Sequence, residues 1–200
     1  MKLKKGFTLV ELLIVIVVIG ILSAMMMLSS TEAVSSAKAA KIINNLRQWK
    51  TAALAWYVDN IDRVTDTGQI KNATHIATGQ NFTGYGNFCE NVDILDIAKY
   101  FNGEFTKDGA SRGTAKYGGT PVRDGAGLSY FLEHLDKDNK FKWYIGCNFG
   151  NDTKVKEKLE ARAATANLVQ RNFEKTLYKA NGEDGTSGGV VYIEIMDFSR

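Results

Sequence analysis

A run of 20 residues without a charged side chain, from Leu12 to Thr31, is the strongest constraint on what this chain can fold into. Most of its members are Leu, Ile, Val or Met. As an α-helix rising 1.5 Å per residue the run would be roughly 30 Å long, which matches the hydrocarbon core of a bilayer. A core helix of a water-soluble domain carries a polar face, and this run shows none. The run therefore predicts one membrane-spanning helix near the N-terminus.

The formal net charge of +3 is concentrated in front of this run. Lys2, Lys4 and Lys5 precede it, and the remaining chain has as many basic as acidic residues. Because basic flanks stay on the cytoplasmic side of a membrane, we expect a cytoplasmic N-terminus and an exported remainder. The 200 residues allow one domain with an appendage. Their composition excludes collagen-like, low-complexity and disulfide-dense scaffolds.

Two common membrane segments share this order of basic and apolar residues: a cleaved secretory signal and an uncleaved signal anchor. The run is long for a secretory signal, and Leu22-Ser23-Ala24 is a poor cleavage site. A signal anchor fits the length and the charges. Neither alternative explains Glu11, a carboxylate at the front edge of the span. An ionisable group in a membrane segment is costly and indicates a function, so its partner has to be identified.

The segment from Lys4 to Leu12, KKGFTLVEL, closely resembles the class III signal of type IV pilins and pseudopilins. The resemblance implies that a prepilin peptidase cuts between Gly6 and Phe7 and that Phe7 becomes an N-methylated terminus. It also implies that Glu11 pairs with the α-amine of a neighbouring subunit during assembly. Leaving one member of such a pair uncompensated in low dielectric costs several kcal/mol, so the pair would set the register between subunits.

Residues 7–59 contain no helix breaker stronger than Gly20, and we predict that they form one helix. Its first part, 7–31, is expected to lie in the membrane or in a filament core, and 32–59 is amphipathic. Apolar residues recur on one face of the second part at spacings of four and three: Ile42, Leu46, Trp49, Ala53 and Trp56. Residues 1–6 are the predicted leader, and 60–200 a globular head.

The predicted fold class is α+β, in which the long N-terminal helix packs on a head with an antiparallel β-sheet, as in type IV pilins. Turn residues predict a connecting loop at 63–91, and Gly103 to Gly127 is expected to be irregular. A short helix is predicted from Asp93, its N-cap, to Phe101. Apolar spacing predicts a second helix from Val155 to Tyr178.

The strands of the head are predicted from alternating apolar residues. Leu128–Leu135 and Lys140–Phe149 are expected to form a β-hairpin, and Val190–Phe198 a final strand. In the second hairpin strand one set of residues should face the core: Phe141, Trp143, Ile145, Cys147 and Phe149.

The only two cysteines, Cys89 and Cys147, lie in the part of the chain that should be exported. Cysteines in an oxidising compartment commonly pair, which favours a disulfide between them. Closing the loop between the two cysteines would stabilise the folded chain by roughly 4 kcal/mol in the chain-entropy model. Two buried free thiols are the alternative.

Basic residues between Lys154 and Lys179 give a local excess of positive charge. Such a stretch binds nucleic acid electrostatically in some proteins, but it is more often the solvated face of a helix. Asp136, Asp138 and Asn139, like Glu183 and Asp184, cluster oxygens without completing a calcium loop, so we predict no metal site. We find no catalytic motif around the two histidines and predict neither an enzyme nor a cofactor.

The sequence therefore predicts a structural subunit, a pilin or pseudopilin that polymerises with copies of itself through its N-terminal helix. The resemblance implies as partners a prepilin peptidase, an assembly ATPase, an inner-membrane platform protein and membrane lipid before assembly. It also implies location in the cytoplasmic membrane, then in a surface pilus or a type II secretion pseudopilus. Two alternatives stay open: a membrane-anchored binding domain that never polymerises, and a minor pilin acting as an adhesin or DNA-uptake tip.

Overall fold

The computed structural model describes residues 7–72, 85–86, 88–107, 118–138, 140–172, 174, 176–180 and 189–199. The predicted leader, including Gly6, lies outside these residues, as do Asn139, Glu183 and Asp184. For Cys89, which belongs to a helix, the structure describes the backbone only.

Helix α1 runs without interruption from Leu9 to Asp59, which confirms the predicted single helix over 7–59. It passes through Gly20 as regular α-helix, and a Cβ at that position would meet nothing within 4 Å. Asn60 is the C-cap of the helix, and its backbone N–H donates to the carbonyl groups of Trp56 and Tyr57. Its first half projects from the head, and its second half is packed.

The second half of α1 lies against the sheet through the predicted apolar face. Ile42, Leu46, Trp49, Ala53 and Trp56 are all buried, at 6% exposure or less. Aromatic side chains of the head pack against this face. Trp143 of the sheet stacks on Phe88 with ring centroids 3.9 Å apart. Because this one stripe is apolar and its flanks are polar, the helix can be covered on one side only. The core of the head lies at this contact.

The described elements after α1 are β1 Ile70–Lys71, β2 Tyr85–Gly86, α2 Phe88–Asn91, α3 Ile94–Ala98, β3 Phe105–Lys107, β4 Gly118–Asp124, β5 Ser129–Lys137, β6 Lys140–Asn148, α4 Thr153–Glu160, α5 Ala163–Ala166, β7 Leu168–Val169 and β8 Val190–Asp197. Among the described residues, six antiparallel strands form the main sheet, in the spatial order β3-β4-β5-β6-β8-β7. The predicted hairpin, β5–β6, is at its centre, and in it Tyr130 lies opposite Cys147 and Lys137 opposite Lys140. A separate two-stranded sheet pairs β1 with β2, and the short helices α2 and α3 lie between these sheets in sequence.

Asp93 caps α3 as predicted, by accepting a hydrogen bond from the backbone N–H of Leu95 at 3.0 Å. The prediction of a plain loop at 63–91 was incomplete, because this segment contains β1, β2 and α2. The prediction that Gly103 to Gly127 is irregular was wrong where β3 and β4 form. Strand β4 is stabilised by a hairpin with β5, and β3 by pairing with β4; the glycine-rich composition of the segment reveals neither contact.

The predicted second helix, Val155 to Tyr178, was also wrong in its second half. Helix α4 ends at Glu160, α5 covers Ala163–Ala166, and Asn167 then takes a left-handed conformation with φ of 53°. Leu168 and Val169 leave the helical path to pair with β8. The helical spacing placed Val169 on a helix face, but pairing with a sheet edge buries it completely.

The face of β6 that points away from α1 is buried as well. Lys142 is 3% exposed, and its ammonium lies 3.0 Å from the carboxylate of Asp197. The hydroxyl of Tyr144 donates to the carbonyl of Asn172 at 2.9 Å. The predicted alternation therefore separates two covered faces: α1 covers one, and the segment beginning with β7 covers the other.

Candidate assembly and anchoring site

The first half of α1 is an apolar cylinder without a partner in the described part of this chain. Its large apolar side chains from Phe7 to Met26 are 48–88% exposed. Among the described residues, α1 is the one helix long and apolar enough to cross a membrane. Apolar surface of this extent is strongly unfavourable in water, so it has to be covered by lipid or by other protein chains.

Phe7 and Glu11, the predicted processing and assembly residues that the structure describes, lie at the tip of this cylinder. Phe7 precedes the helix, Thr8 is its N-cap, and Glu11 occupies its first turn. One carboxylate oxygen of Glu11, Oε2, accepts hydrogen bonds from the backbone N–H and the hydroxyl of Thr8, both at 2.8 Å. The backbone N–H of Glu11 donates to the Thr8 hydroxyl oxygen at 3.3 Å. Together these bonds form a reciprocal capping box.

The capping role of Thr8 was not predicted from the sequence. The pattern Thr-x-x-Glu in front of an apolar run is the signature of a capping box, and it is present at 8–11. The box fixes the rotamer of Glu11 and satisfies one carboxylate oxygen. The other oxygen, Oε1, receives no hydrogen bond from the residues that the structure describes. The carboxylate is therefore held by Thr8 through one oxygen, and its other oxygen is left as an acceptor.

A second charged cluster marks the end of the uncharged run, where α1 enters the head. Glu32 accepts from Lys158 of α4 at 2.8 Å and lies 3.5 Å from Lys154. Lys154 also donates to the hydroxyl of Thr31 at 3.2 Å. The hydrogen bond and charge of Lys158 lower the pKa of Glu32 from its ordinary value of 4.5, so that it stays ionised. Helix α4 is thereby attached to α1 at the boundary between its two halves.

The basic residues after Lys154 do not form one continuous face. Lys154 and Lys158 pair with Glu32, whereas Arg171 lies on the opposite side of the sheet, 2.9 Å from the carboxylate of Glu133. Arg162 donates to the hydroxyl of Ser36 at 2.8 Å. The helix that would have aligned them ends at Glu160, and Lys175 lies outside the described residues. The geometry does not favour the basic stripe that was considered for nucleic acid.

Cys147 is fully buried in β6 opposite Tyr130, and within the described residues its sulfur forms no disulfide. Burial raises the pKa of this thiol, and Tyr130 is its hydrogen-bond partner. Cys89 lies in α2, and the pairing of Cys89 with Cys147 stays a prediction. Among the described residues, no group of three or more His, Cys, Asp or Glu side chains is arranged to hold a metal ion.

Two comparisons with known proteins find similarity, and one of them lies at this end of the molecule. Residues 1–27 match the family model described as a prokaryotic N-terminal methylation motif. The chain is 33% identical over 84 residues to fimbrial protein Q of Moraxella bovis, an alignment covering 42% of this chain and 52% of that protein. The chain thus spans about half the length of this curated relative. No solved structure matches the chain at a significant level.

Proposed function

We propose that this chain, a member of the type IV pilin family on the evidence of its N-terminal motif and its fimbrial relative, is a structural subunit of a type IV pilus-like filament. The observation that carries the proposal is the exposed apolar half of α1 with Glu11 held at its tip. Copies of the same helix can cover one another, and the head stays outside the bundle because its core is already complete.

Processing prepares the tip for assembly in this proposal. A prepilin peptidase cuts between Gly6 and Phe7, which removes the three lysines of the leader, and Phe7 is methylated. Before the cut, the lysines hold the N-terminus on the cytoplasmic side while lipid covers the helix. After the cut, the chain leaves the cytoplasmic membrane for a surface pilus or a periplasmic pseudopilus, through an assembly ATPase and an inner-membrane platform protein.

The new α-amine of Phe7 in one subunit pairs with Glu11 of its neighbour. The Oε1 atom of Glu11 is the acceptor, because the capping box engages the other oxygen, Oε2. Glu11 lies four residues beyond Phe7, a distance of roughly 6 Å along a helix. Pairing of the Phe7 α-amine with Glu11 of the neighbour therefore shifts adjacent subunits by roughly that distance along the filament axis. Leaving either charge unpaired in the low-dielectric core of the filament is costly.

The test is the N-terminal mass of the chain made in a host with a prepilin peptidase, together with filament formation. We expect a terminus at Phe7 that is one methyl group heavier than the cleaved chain. Glu11→Gln keeps an oxygen acceptor for Thr8 but removes the charge, and it should abolish incorporation into sheared filaments. Glu32→Gln, also exposed on α1, is the matched control and should be incorporated. An intact Met1, or filaments of normal yield with Glu11→Gln, contradicts the proposal and favours a plain membrane anchor.

A further inference from the structure

A cavity of about 230 Å³ opens on the head between α1, the segment after α3 and the turn between β4 and β5. Trp49 forms part of its lining at the base and is almost completely buried. Phe101 stacks on Trp49 with ring centroids 4.1 Å apart, and Phe105 meets Phe101 edge to face at 5.8 Å. Both phenylalanines are partly exposed, so they give the cavity an apolar aromatic wall.

The polar side of the cavity is organised around Asp124. Its Oδ1 accepts from the backbone N–H groups of Ala126 and Leu128, at 2.9 and 3.0 Å. Its Oδ2 accepts from Asn45 at 3.2 Å and lies 3.1 Å from the ammonium of Lys41. Asn45 is fixed further, because its amide N–H also donates to the hydroxyl oxygen of Tyr130 at 2.7 Å. These groups are pre-organised without any ligand.

Three other polar side chains line the opening and have hydrogen-bonding capacity left: Gln48, Asn102 and Glu104. The structure gives none of them a side-chain hydrogen bond within the residues it describes. Lys41 disfavours a cationic ligand beside Asp124, and Asp124 with Glu104 disfavours an anionic one. A neutral ligand with several hydroxyl groups can both donate to the carboxylate and amide oxygens and accept from the amide and ammonium groups.

The size of the cavity limits this ligand to a single ring. Its volume corresponds to about eight waters at ~30 Å³ each, and it is below the ~300–1,000 Å³ of sites for drug-sized ligands. A pyranose has hydroxyl groups around its edge and an apolar C–H face that packs on aromatic rings. We propose that this cavity binds one neutral sugar unit, with the aromatic wall contacting its apolar face and Gln48 and Asn102 its hydroxyl groups.

The test uses the full chain in micelles of an amine-oxide detergent, because a glycoside detergent would compete for the site. The probes are the methyl glycosides of glucose, galactose, mannose and N-acetylglucosamine, followed by saturation-transfer NMR. We expect binding of at least one of them, with the strongest transfer to its C–H protons. Gln48→Leu and Asn102→Leu should each weaken it about tenfold, since each leaves a sugar hydroxyl without its partner.

Asn44→Leu is the matched control, because Asn44 is exposed on α1 and lines a different groove, between α1 and α5. The affinity of the Asn44→Leu variant for the methyl glycoside should be unchanged. Circular dichroism checks that all variants fold. The inference is overturned if none of the glycosides binds, if binding survives both Gln48→Leu and Asn102→Leu, or if ethanolamine or inorganic phosphate binds at this site instead. These results leave filament assembly untouched, because the cavity is far along α1 from Glu11.

Discussion

The two halves of α1 contain similar apolar residues and meet opposite surroundings. Between Phe7 and Met26 the large apolar side chains are at least 48% exposed, whereas Ile42 and Leu46 on the same helix are completely buried. The two halves differ in the polar residues that are interspersed among the apolar ones. In the second half, Lys41 and Gln48 interrupt the apolar pattern and leave one stripe, which a single sheet can cover. The first half is apolar on all sides, so lipid or other protein chains have to surround it.

This contrast separates the stability of the head from the assembly of the filament. The head completes its core with half of the helix, so that changes there act on the free energy of unfolding. The projecting half contributes no described contact to that core, and changes there act on insertion and association. Matched substitutions in the two halves test whether this separation is real.

The largest difference is expected between Leu46→Ala and Leu13→Ala. Leu46 is 0% exposed and Leu13 is 52% exposed, on one helix and with the same atoms removed. Leu46→Ala should lower the free energy of unfolding by about 2–5 kcal/mol, because it leaves a cavity in the core. Leu13→Ala should change it by less than about 0.5 kcal/mol. Urea unfolding of the full chain in micelles, followed by tryptophan fluorescence, measures both, and equal effects would show that the two halves do not act separately.

A smaller difference is expected between two glycines. A Cβ at Gly146 of β6 would lie 2.5 Å from the ring of Phe131 and 2.9 Å from that of Tyr192, whereas one at Gly20 meets nothing within 4 Å. Gly146→Ala should therefore cost about 1–3 kcal/mol through overpacking. Gly20→Ala should be neutral or stabilise the helix by up to about 1 kcal/mol. Thermal unfolding in micelles measures the pair, and a stabilising Gly146→Ala would contradict the packing of that face.

Features of this fold that are encoded by neighbouring residues could be predicted from the sequence, and features that depend on contacts elsewhere in the chain could not. The span, the amphipathic face of α1, the β5–β6 hairpin and the Asp93 cap each depend on neighbouring residues, and all were predicted. Strand β4 was missed because it contains Gly118, Gly119 and Pro121, and it is held by pairing with β5. The helical period continued through Val169, which pairs with β8 instead. The contact of Val169 with Tyr192 joins distant parts of the chain, so a local window does not reveal it. Strand β4 is the hairpin neighbour of β5, but its glycines and proline do not give the apolar alternation of a strand.

The candidate site shows the same division. The roles of Phe7 and Glu11, which stay predictions, come from a contiguous motif, and the capping role of Thr8 has a contiguous signature too. The pairing of Glu32 with Lys154 and Lys158 joins distant parts of the chain, so a sequence pattern does not reveal it. The sugar cavity likewise takes its lining from three separate segments.

The attachment of α4 to the boundary of the two halves gives a third prediction. Asp152 is the N-cap of α4, and its carboxylate accepts from the backbone N–H of Val155 at 3.2 Å. Asp152→Ala should lower the free energy of unfolding by about 1 kcal/mol, because an N-cap acceptor is lost. Asp152→Asn retains the cap and should recover most of this loss. If both variants lose the same amount in urea unfolding, the 3.8 Å ion pair with Lys38 matters more than the cap.

The smallest effect is expected at Glu32, the first charged residue after the uncharged run, and it depends on pH. Lys158 lowers the pKa of Glu32 in the folded chain below its ordinary value of 4.5. The stabilisation is therefore present above that ordinary value and is lost as the pH falls through the lowered pKa. Because Glu32 is exposed, the effect is small and weakens with added salt. Carboxyl NMR titration should show the lowered pKa, and Lys158→Gln should return it toward 4.5. An unchanged pKa in Lys158→Gln would mean that α4 is not attached to α1 through this pair, and that the boundary between the two halves is set by burial alone.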